Sequence, residues 1–199
     1  MIKQPDAILF DMDGVLVDSL DSWWLSLNNA MKMYTDNEIT REEFIKTYWG
    51  HDLRDNLKRA GLDPRIVQFC NMIYSDYIYA VRLYPDTKPT LKRLHGYRKG
   101  VITNTPRDCA KQILSKFDID YYFDIVVTSD EVKIGKPDPE IIYKACSSLN
   151  VEPAKVIVVG DTVNDVKAGR AAGCTVVGVN VDADVTIRSL SELPDLLNK

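Results

Sequence analysis

Histidine and paired cysteine are what this chain has least of. Two histidines, His51 and His95, occur in 199 residues, and the four cysteines, Cys70, Cys109, Cys146 and Cys174, lie far apart with no Cys-x-x-Cys pair. That scarcity argues against a zinc centre. Neither histidine follows a strand-like run, so a histidyl nucleophile is disfavoured as well. The cysteines read as buried thiols of a protein kept in a reducing cytoplasm. Long apolar runs are also missing: the longest are about five residues, too short to span a bilayer. No basic-then-apolar leader precedes the first strand-like run at Ala7, so the expectation is a cytoplasmic protein with no membrane partner. Charge of one sign is not in excess either. The net charge is −4 with Lys and Arg scattered, which argues against nucleic acid as a partner and makes any important positive charge local. With 45% apolar and 27% charged residues, the chain has the composition of an ordinary folded protein. Its length suits one core, or a core that carries an insertion.

Short β-branched runs recur at Ala7–Phe10, Gly100–Thr103, Ile125–Thr128, Val156–Gly160 and Thr175–Val179, with a weaker one at Val185–Ile187. Each is nearly all apolar, as strands covered on both faces are. Helical patterns lie between them, so the fold class is α/β: a Rossmann-like parallel sheet. The spacing has one anomaly. Between the run that ends at Phe10 and the one that starts at Gly100 no strand-like run appears, whereas a single crossover helix needs only about a dozen residues or more. The excess predicts a helical domain inserted after the first strand, with a core at 1–17 plus 84–199 and the insertion at 18–83. Three apolar stripes support helices there: Trp24, Leu27, Met31 and Tyr34; Leu53, Leu57 and Ala60; Val67, Cys70, Tyr74, Ile78 and Val81. Both connections return beside the first strand, so the insertion must stand over that strand's C-terminal end, where open parallel sheets bind ligands.

Four segments bring polar residues to that end. The first run stops at Asp11, followed by Asp13 and Gly14. Asp11 and Asp13 share a side if the backbone stays extended, and carboxylates so close repel unless a cation or a shared proton intervenes. The second segment is Val101-Ile102-Thr103-Asn104-Thr105-Pro106-Arg107-Asp108. It predicts a helix capped by Thr105, with Thr103 and Asn104 beside backbone N–H groups that could cradle an anion. Gly135-Lys136-Pro137-Asp138-Pro139 fixes a lysine just ahead of a helix, an unfavourable place for an ammonium unless it has work to do. The last run delivers Asp161, with Asp165 in the next helical turn. Four carboxylates in one crevice call for a divalent cation, and oxygen-only ligands favour Mg²⁺.

These parts fit phosphoryl transfer. Asp11 is a carboxylate nucleophile, Asp13 can move a proton, and Thr103 and Lys136 can hold a phosphoryl group. Phosphomonoester hydrolysis needs accelerations of up to ~10²¹, and a covalent intermediate divides so difficult a step.

The order Asp-x-Asp-Gly-Val-Leu-x-Asp-Ser, strand-Thr-Asn, Gly-Lys-Pro and Gly-Asp-(x)₃-Asp resembles the haloacid dehalogenase superfamily over roughly residues 6 to 197. The insertion resembles its type-I helical cap, and Ala168–Gly173 with Ser189–Pro194 resembles its phosphoglycolate phosphatase group. The resemblance implies an aspartyl-phosphate on Asp11 and Asp13 as general acid/base. It places Thr103 and Lys136 on the phosphate, and Mg²⁺ on Asp11, the Asp13 backbone carbonyl and Asp161, supported by Asp165. The second aspartate, Asp13, departs from the superfamily's dehalogenases and phosphonatases. Sugar phosphomutases of the same cap type usually carry a histidine where this chain has Trp23 and Trp24. The expected activity is therefore Mg²⁺-dependent hydrolysis of a small phosphorylated metabolite, phosphoglycolate first. A phosphomutase and a catalytically idle binding protein are the alternatives, and monomer and homodimer are both open. Trp49-Gly50-His51-Asp52-Leu53-Arg54 resembles the cap loop that enters the active site, so His51 and Arg54 are expected to read the substrate. Otherwise Arg54 would merely solvate a helix face beside Asp55 and Lys58.

Overall fold

The computed structural model describes residues 4–197. Six parallel strands form its central sheet: β1 (Ala7–Phe10), β4 (Arg98–Thr103), β5 (Ile125–Thr128), β6 (Val156–Gly160), β7 (Thr175–Val179) and β8 (Val185–Ile187), in the order β5-β4-β1-β6-β7-β8. Every strand-like run in the sequence is thus a strand, and β4 begins two residues before the run at Gly100. β1 lies at the centre, paired with β4 on one side and β6 on the other (Phe10 with Val101 and with Val159). All four residues of β1 and all five of β6 are buried, which is why these strands are apolar without alternation. The helices α5 (Thr87–Arg93), α6 (Arg107–Lys116), α7 (Glu140–Leu149), α8 (Val163–Ala172) and α9 (Leu193–Leu197) accompany the sheet.

Between β1 and β4 the chain forms a two-stranded antiparallel pair, β2 (Val17–Asp18) with β3 (Arg82–Leu83), in the register Val17–Leu83 and Asp18–Arg82. These strands bracket α1 (Leu20–Thr35), α2 (Arg41–Thr47), α3 (Leu53–Arg59) and α4 (Arg65–Tyr77). Two of these helices, α2 and α3, start where a side chain satisfies free N–H groups. Thr40 and Glu43 make a capping box on α2, and the Asp52 carboxylate accepts from the Arg54 N–H at the start of α3. α1 packs on α4, and Trp23 meets Tyr74 with ring centroids 4.3 Å apart. Leu27, Leu57, Cys70 and Tyr74 are fully buried, each apolar side chain contributing about 1.5–3 kcal/mol.

The stripes differ from expectation at their ends. Ala60 is exposed because α3 stops at Arg59 and Ala60 is already its C-terminal cap. Ile78 and Val81 lie beyond α4, which ends at Tyr77 and passes into a short 3₁₀ turn. On α1, Trp23 rather than Trp24 is the buried tryptophan. The four cysteines are free and buried. No helix among the described residues is long and apolar enough to cross a membrane.

Candidate active site

β1 delivers Asp11 to its C-terminal end, where the Asp11 N–H still donates to Val159 O at 2.8 Å, one residue past the strand. The chain then turns sharply. Leu16 and Val17 both donate to Met12 O, and Gly14 adopts φ +85°. A Cβ on Gly14 would stand 2.0 Å from Asp161 Oδ2, so both the backbone angle and the close approach require glycine. Asp161 follows β6, the strand beside β1.

Lys136 ties these pieces together. Its side chain is buried, with Nζ 2.8 Å from Asp11 Oδ1 and 2.6 Å from Asp165 Oδ1, and it donates to Ile102 O at 3.1 Å. Asn104 clasps its backbone: Oδ1 accepts from Lys136 N at 2.8 Å and Nδ2 donates to Lys136 O at 3.0 Å. Burial alone would lower the ammonium's pKa, but Asp11 and Asp165 outweigh it and hold the group above its ordinary value. The Asp11 carboxyl is pushed well up by burial; Lys136 opposes the rise, while Asp165, Asp161 and Asp13 add to it. Burial, then Asp165, pushes Asp161 up to about 7. One ammonium does not neutralise this many acids.

Carboxylate oxygens of Asp11, Asp161 and Asp165 lie within 4.8 Å of one another. Asp161 Oδ1 is buried with no hydrogen-bond partner, which a bound cation would satisfy. The donors are all hard oxygens, as Mg²⁺ requires. Asp165 is the most engaged of the three. Its Oδ1 accepts from Lys136, and its Oδ2 accepts from Thr162 N at 3.0 Å and Thr162 Oγ1 at 2.5 Å, which also closes a capping box on α8.

The Asp13 carboxylate lies outside that group, because the turn at Gly14 carries it towards the end of β4. There Oδ2 accepts from Thr105 Oγ1 at 2.7 Å and Thr103 Oγ1 at 3.1 Å, while Oδ1 accepts from Ser19 Oγ and, at 3.4 Å, from Trp23 Nε1. Thr105 is thus not the helix cap that its sequence suggests. α6 starts at Arg107 after Pro106 with no side-chain cap, and the Thr105 hydroxyl is spent on Asp13. Thr105, Ser19 and Trp23 are site residues that sequence reasoning missed. Ser19 follows an aspartate in the first motif, but the reach of Thr105 to Asp13 spans 92 residues and has no local signal. Likewise α7 starts at Glu140, with Pro139 just ahead of it.

Above these groups sits the loop from Trp49 to Arg54. Gly50 O accepts from Asn164 Nδ2 at 3.0 Å and Asn104 Nδ2 at 3.3 Å, and His51 Nδ1 lies 3.2 Å from Asn164 Nδ2. Burial first, then Arg59 and Lys167, lowers the His51 pKa. Arg54 does not solvate a helix face. Its guanidinium grips Asp52, with Nη2 2.5 Å from Oδ2, and reaches Ser129 O at 2.6 Å beyond β5. Together the loop, Asp11, Asp13, Thr103, Asn104 and Lys136 line a cavity of about 60 Å³.

A family model described as haloacid dehalogenase-like hydrolase matches residues 8–179. The chain belongs to that family. A phosphoglycolate phosphatase of Haemophilus influenzae is 33% identical over 213 residues, covering 98% of this chain and 94% of its own. The pyrophosphatase PpaX of Anoxybacillus flavithermus is 32% identical, with 87% and 83% covered. A crystal structure of a haloacid dehalogenase-superfamily hydrolase from Geobacter sulfurreducens superposes with a TM-score of 0.82 at 26% identity, covering 99% and 100% of the two chains. By this kinship the protein is an enzyme, a hydrolase of the phosphatase kind, and its parallel sheet is the fold of that family.

Proposed function

We propose that this haloacid dehalogenase-like enzyme hydrolyses a small phosphomonoester through an aspartyl-phosphate on Asp11. The observation that carries the reading is the pairing of Asp11 with Lys136 at 2.8 Å, beside an Asp13 held by two threonine hydroxyls. Asp11 Oδ1 is engaged by Lys136 and by the Met12 N–H at 2.7 Å, which leaves Oδ2 to attack phosphorus. The P–O bond to the leaving group breaks as the Asp11–P bond forms, and Asp13 gives its proton to the departing oxygen. A water then loses a proton to Asp13 and attacks phosphorus, which releases phosphate and restores the Asp11 carboxylate. Lys136 and the Thr103 hydroxyl would donate hydrogen bonds to the phosphoryl oxygens as their charge redistributes. Asp11, Asp161 and the Asp13 backbone carbonyl would hold Mg²⁺, with Asp165 behind them. When bound, the ion neutralises phosphoryl charge that Lys136 alone cannot.

In this reading residues 18–83 are a cap over a core of 1–17 and 84–199. The contacts of Gly50, His51 and Arg54 with Asn104, Asn164 and Ser129 support it. Closure would exclude water from the first step, and opening would release products. The two relatives named above make phosphoglycolate and pyrophosphate the first substrates to try. The test is phosphate release across phosphoglycolate, pyrophosphate, sugar phosphates, nucleoside monophosphates and aryl phosphates, with Mg²⁺ and with EDTA. Asp11→Asn should abolish turnover while the protein stays folded; turnover that survives in this variant would sink the mechanism.

A further inference from the structure

The leaving-group side of the cavity is aromatic and carries no free positive charge. Trp23, Phe44, Tyr48, Trp49, Leu53 and Val67 line it next to Asp13. The aromatic residues are packed into a fixed surface: Phe44 stacks on Tyr48 and meets Trp49 edge-on, with centroids 6.2 Å apart in both pairs. Three basic side chains border the same cavity, and each is already engaged. Lys136 is ion-paired with Asp11 and Asp165, Arg54 with Asp52 and Ser129 O, and His51 faces the Asn164 amide. Among the described residues, no further Lys, Arg or His lines it. A second anionic group on the substrate, such as a carboxylate or another phosphoryl, would find no uncompensated positive charge in this space.

One polar atom in its wall lacks a partner. Asn71 lines the cavity, and its Oδ1 is buried with no hydrogen-bond partner. A buried acceptor left unpaired is costly and rare, so a ligand donor is its natural complement. Asn71 and Arg54 also border a second cavity of about 330 Å³, lined further by Gln68, Met72, Asp108, Cys109 and Asp130.

From this we propose that the preferred substrate is the phosphomonoester of an uncharged, flat-ringed alcohol. Its ring lies against Tyr48 and Trp49, and an O–H or N–H on it donates to Asn71 Oδ1. The proposal rests on the phosphatase reading for the phosphoryl end, and it departs from phosphoglycolate and pyrophosphate at the other end. Flat rings on aromatic walls gain area and stacking at little conformational cost.

Two non-hydrolysable phosphonates with the same linker separate the cases by calorimetry on the Mg²⁺-loaded enzyme. 2-Phenylethylphosphonate carries a ring, and 3-phosphonopropionate carries a carboxylate in the same place. The ring ligand should bind at least about tenfold tighter, a difference of about 1.4 kcal/mol. Tyr48→Ala should cut that advantage to less than about threefold and leave the carboxylate ligand unchanged. Adding a 3-hydroxyl to the ring should tighten binding at least about threefold in the native protein and not at all in Asn71→Leu. Equal binding, or tighter binding of 3-phosphonopropionate, overturns the proposal. Binding of neither ligand by an enzyme that still hydrolyses phenyl phosphate overturns it too, leaving the phosphatase reading intact. Tight ring binding without any Asp11-dependent phosphate release overturns the phosphatase reading alone.

Discussion

The carbonyl of Gly50 accepts a hydrogen bond from the Asn164 side chain at 3.0 Å, across 114 residues of chain. It joins the loop between α2 and α3 to the first turn of α8, one residue before Asp165. Gly50 has φ +73°, and a Cβ there would stand 2.7 Å from Thr162 Cγ2. The helical segment therefore docks on the fourth motif through backbone, at a position where a side chain does not fit.

Gly50→Ala should disturb that docking more than the fold. Left-handed backbone costs alanine about 1–2 kcal/mol, and the methyl group must push Thr162 aside. The expected result is a loss of roughly tenfold in kcat/KM, with a melting temperature lowered by only a few degrees. Steady-state kinetics beside a thermal melt check this, and native activity in the variant would show that the contact has no part in turnover.

Lys136→Met should destabilise the protein severely and in a pH-dependent way. Removing one partner of a buried ion pair typically costs about 3–5 kcal/mol, and here Asp11 and Asp165 would lose the same ammonium. Without it their ionised forms are harder to hold, so the loss should be larger at pH 8 than at pH 5.5. Urea unfolding at the two pH values measures it. A uniform loss at both would mean that the lysine acts through packing alone.

If Asp161 holds Mg²⁺ as proposed, its raised pKa should make metal binding pH-dependent. Its folded value of about 7 lies above the ordinary 3.8, so between these values the native state holds a proton that the unfolded chain has released. Its contribution to metal-free stability is full below pH 4 and is lost as the pH rises through about 7. Mg²⁺ needs the ionised carboxylate, so its affinity should be roughly thirtyfold weaker at pH 5.5 than at 8. Calorimetric titration of Mg²⁺ at both pH values tests this. Asp161→Asn should weaken binding and flatten the dependence; a steep slope retained in that variant would move the titration to another acid.

Thr105→Val keeps the shape and removes the hydroxyl that donates to Asp13 at 2.7 Å. If that bond aims the carboxylate, kcat should fall by roughly ten- to a hundredfold with KM little changed. Thr105→Ser should recover most of the rate. A change in KM alone, or no rescue by serine, would make the threonine a packing residue.

Much of this protein follows from sequence because its signals are local. Buried parallel strands must be apolar on both faces, so Ala7–Phe10 and Val156–Gly160 declare themselves. The long interval before the next strand-like run declares the helical insertion. Asp11 and Asp161 stand out in the sequence because each directly follows a strand, Asp165 because it lies in the first turn of a helix, and Lys136 because glycine and prolines flank it, and the parallel sheet brings strand ends to one edge. The tertiary structure decided which of these groups touch. Thr105 looked like a helix cap, yet its hydroxyl meets Asp13; Arg54 looked free to read substrate or solvate a helix, yet it is paired with Asp52 and Ser129 O. Such pairings depend on where the turn at Gly14 and the loop at Gly50 place atoms that lie tens of residues apart. Propensity and periodicity act over a few residues and carry no information at that range, so only packing could decide them.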